Sequence, residues 1–279
     1  MRATAHMTLQ CRLNEEGQRM IENKKIVLTG ASSGIGLEVL KILAKGKGNV
    51  IIVVSRHAEQ RLFDFGPNVI PMNIDCSTKE GIDKLFSVAE NAFGKIDIFY
   101  ANAGFPYYEA FDYLDWDRVK KMFDTNTLSP IYTYSKYLHH LNGRDGHLAF
   151  TISAIGQMAM PGYAIYSASK FGLEGFQQAI RLEKPKNMKF TCLYPVATDT
   201  NFFKVAADGV QFEKPFPVQN PVTVAKKMVR GIEKGQKSVS PCPLFAISKA
   251  MMTVMPFVRT VYWELELQKL KRFLKKTRG

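Results

Sequence analysis

Six apolar runs of strand length recur along the chain, and several of them do not alternate between apolar and polar residues. They are KIVLTG (25–30), VIIVVS (50–55), NVIPMNID (68–75), IDIFYANAG (96–104), HLAFTIS (147–153) and KFTCLY (189–194). A strand that is apolar at successive positions is buried on both faces. Between the runs lie stretches of helical pattern: GLEVLKILAKG, GIDKLFSVAENAFG, WDRVKKMFDTNTLSPIYTYSKYLHHL and YSASKFGLEGFQQAIRLEK. In the third, Pro130 is expected to bend or break the helix. Strand–helix alternation with short connections predicts an α/β fold, a doubly wound parallel sheet of Rossmann type with three layers in a single domain. A last strand is expected near KSVSP (237–241). With 279 residues and 46% hydrophobic content the chain can bury such a core.

Ligands of a doubly wound sheet sit at the carboxyl ends of its strands. There, directly after the first run, stands TGASSGIG (29–36). A glycine-rich turn between a strand and its helix lets backbone N–H groups approach a pyrophosphate, and the helix N-terminus adds partial positive charge. Gly30 is expected to make the turn, Gly34 the close approach and Gly36 the packing of helix on sheet, with Ser32, Ser33 and Ile35 beside the cofactor. Three glycines alone also suit a plain structural turn. Their G-x-x-x-G-x-G spacing departs from the common G-x-G-x-x-G fingerprint.

TGASSGIG resembles the cofactor motif of the short-chain dehydrogenase/reductase superfamily, and the resemblance runs from about residue 23 to 235. ANAG (101–104) is similar to the family's NNAG motif, DTNTLSP supplies Asn126, Ser153 follows the fifth strand, and YSASK gives Tyr166 and Lys170. The resemblance implies a catalytic set of Asn126, Ser153, Tyr166 and Lys170. It also implies that Lys170 binds the nicotinamide ribose and that Asn126 holds a water linking Lys170 to solvent. Cofactor contacts are implied for Asn102, Ala103 and Gly104, for Asp75 and Cys76 near the adenine, and for Pro195, Val196, Thr198 and Thr200.

The chemistry of these residues agrees with that reading. Tyr166 and Lys170, four apart, share a helix face. An ammonium beside a phenol stabilises phenolate, so Tyr166 is expected to have a lowered pKa and to act as general acid in reduction and base in oxidation. Ser153 is expected to donate a hydrogen bond to the substrate oxygen as negative charge develops. Tyr163 has Ser167, not a lysine, four residues on. The second run ends in Ser55 and Arg56, with no acid before Glu59. Arginine there accommodates a 2′-phosphate, so NADP(H) is the expected cofactor. Two departures from the family stand out: Ala101 replaces the first asparagine of NNAG, and Val196 replaces the glycine after Pro195.

The expected function is interconversion of a carbonyl and an alcohol by hydride transfer. A lid at about 201–222, carrying Phe202, Phe203, Val205, Phe212 and Phe216, and the aromatics of GFPYYEAFDYL (104–114) point to a hydrophobic substrate, or else to loop packing. An NADPH-binding sensor or scaffold with little turnover is the alternative. A homo-oligomer, dimer or tetramer, is expected.

Residues 1–23 read as a loosely attached extension without the apolar core of a signal peptide, 24–241 as the catalytic domain and 242–279 as a C-terminal extension. Cys11, Cys76, Cys192 and Cys242 form no paired motif, so free thiols and a cytoplasmic location are expected. No metal site and no nucleic-acid module is read. The net charge is +13, and residues 267–279 hold six cations and no acid. That tail is either a solvated face or a contact for an anionic surface. Leu265, Leu267, Leu270 and Phe273/Leu274 recur at roughly helical spacing beside those cations, which suits either peripheral membrane contact or packing on the same domain or across a homodimer.

Overall fold

The computed structural model describes residues 20–62, 64–207 and 209–278. Most of the expected N-terminal extension, Cys11 included, lies outside them. From Ile21 onward the chain is held: Ile21 is buried, and its carbonyl accepts a hydrogen bond of 2.8 Å from Asn49 Nδ2.

In chain order the elements begin β1 (Lys25–Thr29), α1 (Gly34–Ala44), β2 (Val50–Ser55), α2 (Ala58–Leu62), β3 (Val69–Asn73) and α3 (Lys79–Phe93). Next come β4 (Ile98–Ala101), α4 (Trp116–Phe123), α5 (Ser129–Leu141), β5 (Gly146–Thr151), α6 (Ala164–Glu183) and β6 (Met188–Leu193). The chain closes with α7 (Phe202–Ala206), α8 (Pro221–Glu233), the short β7 (Ser238–Val239), α9 (Pro243–Val254) and α10 (Pro256–Arg278). The strands form one sheet, ordered β3-β2-β1-β4-β5-β6-β7, with every pairing parallel. This is the doubly wound Rossmann-type architecture expected from the apolar runs.

The lack of alternation in those runs has a direct cause. On β2, Ile51 and Val53 face a core shared with α1 and α8, while Ile52 and Val54 face a second core shared with α3, α5 and α6. Both faces of the strand are therefore covered. Helix ends follow local chemistry: Thr78 caps α3 by accepting from Gly81 N at 3.0 Å, and α3 ends on Gly94 at φ 67°. Asp115 caps α4 by accepting from Arg118 N at 2.8 Å.

The helix expected to break at Pro130 does not break there. A five-residue π-turn, Asp124–Leu128, joins α4 to α5, and Pro130 sits harmlessly in the first turn of α5. The inserted residue of the π-turn, rather than the proline, distorts the helix, and Asn126 lies within it.

From β1 the chain winds outward through β2 and β3, then returns to β4 on the other side of β1. The connections diverge there and leave a crevice at the carboxyl ends of β1 and β4. At the C-terminus, α9 and α10 meet at a bend of 119° and fold back over the domain. Leu270, with Leu267, Phe273 and Leu274 around it, packs on Tyr108, Tyr163 and Tyr166. Leu267, Leu270 and Phe273 of the apolar stripe thus pack on the protein itself, while Leu265 is exposed. No single helix among the described residues is long and apolar enough to cross a membrane.

Phe86 of α3 stacks on Phe99 of β4 with ring centroids 5.2 Å apart, and both are fully enclosed. Phe86→Ala should lower unfolding free energy by about 3–5 kcal/mol, read as a shift of the urea midpoint at unchanged slope.

Candidate active site

The crevice opens into one continuous cleft of about 790 Å³. Every site residue expected from the sequence borders it except Asn126, which is fully buried behind the wall. The glycine turn forms one end. Gly30 has φ 69°, and a Cβ there would lie 2.7 Å from Ala103 Cα. Gly34 has φ 58° and faces the Thr200 side chain. Gly36 packs less on the sheet than on the turn itself: a Cβ would stand 2.4 Å from the Gly30 carbonyl oxygen and 2.6 Å from Asn102 Nδ2. Asn102 Nδ2 donates to the carbonyls of Thr29 and Gly30 at 3.3 and 3.2 Å. Thr29 Oγ1 accepts from the Asn102 and Ala103 amides at 3.1 and 3.0 Å. Sequence reading passed over Thr29, although it opens the glycine motif.

The residues expected to be catalytic lie at the ends of β5 and α6. Ser153 follows β5 at φ 137°, a conformation natural to glycine and strained by about 1–3 kcal/mol for other residues. Glycine would relieve the strain but bring no hydroxyl. Ser153 Oγ accepts from Ile155 N at 3.2 Å and donates to the Pro195 carbonyl at 3.4 Å. Tyr166 and Lys170 share the face of α6 turned to the cleft, with Lys170 Nζ 5.8 Å from the Tyr166 ring centre. Burial pushes the Tyr166 phenol up, while its hydrogen bond with Ser153 works in the opposite direction. This reverses the expected lowering: burial is the larger effect at Tyr166, and it destabilises the Lys170 ammonium as well. Burial brings Lys170 down to about 7, and its Nζ donates to the Thr151 carbonyl at 3.1 Å.

Asn126 fixes the loop after β4. Its Oδ1 accepts from Phe105 N at 3.1 Å, and its Nδ2 donates to Phe105 O at 2.9 Å. At Gly104 a Cβ would come 3.0 Å from Asn126 Oδ1 and 3.5 Å from Lys170 Nζ. The bare backbone there keeps both groups in place.

At the far end, Arg56, His57 and Arg61 border the cleft beyond β2. From the other side it is bordered by Arg118 of α4, which is paired with Glu109 at 2.7 Å and lies over the Tyr107 ring, by Lys121 of α4 and by Thr125 of the π-turn. The last three stand at i, i+3 and i+7, a one-face spacing that was readable in the sequence and was overlooked. Asp75 lies between the two groups. Burial raises its carboxyl, but hydrogen bonds from the Ser77 hydroxyl (2.7 Å) and amide (2.9 Å), with the charges of Arg56 and Lys121, hold it below the usual range. Cys76 is pushed up to about 12 by burial and then by Asp75, which leaves an unreactive thiol. Glu59, the first acid after β2, is turned to β3, where it bonds Asn73 N and Nδ2 at 3.1 and 3.0 Å. Cations, a helix N-terminus and a lone carboxylate are a donor set that fits an adenine dinucleotide.

The sequence signature of short chain dehydrogenases matches residues 24–210. The chain belongs to this family. An uncharacterised oxidoreductase of Listeria innocua is 29% identical over 198 residues, covering 67% of this chain and 79% of its own. A 3-ketodihydrosphingosine reductase of Dictyostelium discoideum is 27% identical over 270 residues, covering 85% of this chain and 81% of its own. A short chain dehydrogenase of Burkholderia cenocepacia, solved in complex with NADP, superposes with a TM-score of 0.72 at 20% identity, covering 84% and 94% of the two chains. This protein is therefore an oxidoreductase of a family that uses nicotinamide cofactors.

Against the family pattern, Val196 now has an explanation. It packs with Ala154, Met158, Cys242 and Phe245, so the residue in place of glycine meets the start of α9. Phe245 and Tyr262, from the C-terminal helices, border the cleft together with Phe202 and Phe216. Phe202 sets its ring edge-on to Tyr166, with centroids 5.8 Å apart. Phe212 does not border the cleft; it stacks on Tyr108 at 4.2 Å under α10. The segment 201–222 is held by α10: Arg272 bonds Glu213 at 3.2 and 3.0 Å, and Tyr262 Oη donates to Phe216 O at 2.9 Å. Lys249 and Trp263 bond Gln157 and Ala159 O after β5, at 2.9 and 2.8 Å. Sequence reading had no means of placing these helices on the site.

Gly36→Ala forces backbone against backbone. It should lower stability by about 1–3 kcal/mol and nicotinamide-cofactor affinity at least tenfold, measured by thermal melting and fluorescence titration.

Proposed function

We propose that the protein is an NADP(H)-dependent reductase and dehydrogenase acting on a ketone, or the corresponding alcohol, attached to an apolar body. One observation carries this reading: Ser153, Tyr166 and Lys170 line the same cleft as the glycine turn, with an apolar wall of Phe202, Phe245 and Tyr262 beside them. The cofactor, when bound, supplies or accepts the hydride. The remaining work falls to the chain. Ser153 Oγ donates a hydrogen bond to the carbonyl oxygen and holds it near Tyr166. Tyr166 passes its phenolic proton to that oxygen in reduction, and takes it back in oxidation. A phenol kept protonated by burial is ready as an acid, and the charge on Lys170 eases the phenolate that follows. Asn126 keeps the loop after β4 in place, leaving Lys170 uncrowded at Gly104.

NADP(H) is favoured over NAD(H) because Arg56 and Arg61 border the cleft where an NAD-specific acid would stand, while Glu59 is engaged on β3. The apolar substrate is supported by the aromatic wall, and the similarity to a 3-ketodihydrosphingosine reductase agrees with a ketone. Segment 201–222 serves as the lid, and exposed Leu128, Phe171 and Leu182 support assembly of a homo-oligomer. The sensor or scaffold alternative is not favoured, since Ser153, Tyr166 and Lys170 meet in one cleft with Asn126 directly behind its wall.

NADPH oxidation followed across a series of ketones of increasing chain length tests the reading; faster turnover of short polar carbonyls would sink the apolar substrate. Tyr166→Phe should lower kcat about 10³-fold with the melting temperature retained. NADPH should bind at least about tenfold more tightly than NADH, and Arg56→Glu should erase the difference.

Lys170 gives a pH signature. At about 7 in the free chain, its pKa rises when a polyanionic cofactor binds beside it. Affinity is then full below pH 7 and declines as pH rises above it. Calorimetry at pH 8 in buffers of different ionisation enthalpy should show proton uptake on NADPH binding, and Lys170→Met should abolish it.

A further inference from the structure

The C-terminal helices present apolar residues on two sides. Their inner sides wall the cleft through Phe245 and Tyr262 and bury Leu270. Their outer sides are apolar as well. On α9, Ile247, Met251 and Val254 stand at i, i+4 and i+7 and are 66%, 43% and 82% exposed. On α10, Phe257, Val261 and Leu265 follow at four-residue spacing and are 61%, 58% and 58% exposed. Single exposed apolar side chains are ordinary, but a series along two successive helices is not. The two helices together have the length and apolarity of a membrane span, yet their 119° bend prevents them from crossing a bilayer as one rod. Beyond Leu265 the outer side turns basic. No acid follows Glu266, and Lys271, Lys275 and Lys276 are all exposed.

We infer that the outer side of the α9–α10 elbow docks on an anionic lipid bilayer, with Ile247, Val254, Phe257 and Val261 in the interfacial layer and Lys271, Lys275 and Lys276 over the headgroups. Apolar residues beside lysines are what a surface-lying helix offers such a membrane. A second copy of the chain is the competing occupant. Each chain carries a net charge of +13, so pairing two copies on this face works against their repulsion, whereas an anionic surface gains from the same charge. Docking also serves the cleft, a use that rests on the proposed reduction of an apolar ketone. The docked helices are the wall of the pocket, so docking sets the pocket beside the leaflet in which such a ketone dissolves.

The test is co-sedimentation of the full chain with vesicles of phosphatidylcholine containing phosphatidylserine. Two variants accompany it: Ile247→Glu/Phe257→Glu/Val261→Glu, and Lys271→Gln/Lys275→Gln/Lys276→Gln. The second touches no apolar packing and remains informative if the first folds poorly by circular dichroism. The apolar variant should lower the partition coefficient at least about tenfold, and the lysine variant, or pure phosphatidylcholine, several-fold. Turnover of a water-soluble ketone should be unchanged in both variants, while turnover of a vesicle-borne long-chain ketone falls. Equal partitioning of all three proteins overturns the inference. So does loss of an oligomer in the apolar variant at unchanged vesicle binding, which assigns the face to a second copy. Vesicle binding without turnover of any ketone leaves the docking standing and removes the proposed reaction; ketone turnover without vesicle binding does the reverse.

Discussion

The turn after β1 and the loop after β4 are pressed together until no side chain fits between them, and the rest of the site depends on that contact. Gly30 lies against Ala103, Gly36 lies against the Gly30 carbonyl, and Asn102 and Thr29 lock the two segments with hydrogen bonds. The β1–β4 pairing brings these ends together, and it exists because the strand order reverses there. From this junction the β4 loop runs on to Gly104 and Phe105, where the Asn126 amide captures it. Lys170 lies on the other side of Gly104, and its companion Tyr166 shares its helix face. A chain of close backbone contacts thus links the cofactor end of the cleft to its catalytic end.

Burial governs the electrostatics of that catalytic end. It holds Tyr166 protonated and Lys170 near the edge of neutrality, while the open, cation-rich end keeps Asp75 ionised. The dry end suits proton transfer and the wet end suits phosphate binding. Ser153 accepts backbone strain at their boundary so that its hydroxyl lies between Tyr166 and the Pro195 carbonyl.

Most of the sheet was legible because burial on both faces writes itself directly into sequence, as VIIVVS shows for β2. The pairing of Tyr166 with Lys170 was legible because the helix period sets both on one face, whereas Ser153 was placed beside them by the family resemblance alone. Other features left weaker traces. The π-turn at Asn126 has no compositional mark, and Pro130 drew attention to the wrong residue. The lowered pKa expected for Tyr166 came from counting charges without their burial, which no single sequence displays. Arg118 and Lys121 reach the cleft from α4, a helix whose distance from β2 depends on sheet order. The docking of α10 depends on non-local contacts, such as Arg272 with Glu213, between residues that look like ordinary surface charges.

Val196 has a consequence for how the chain can be divided. Its side chain, with Ala154 and Met158, forms a small apolar socket filled by Phe245 and Cys242. Shortened after its last strand, this protein would expose a sticky hollow at the edge of its own reaction centre. The C-terminal helices are a built-in stopper for that hollow rather than an appendage.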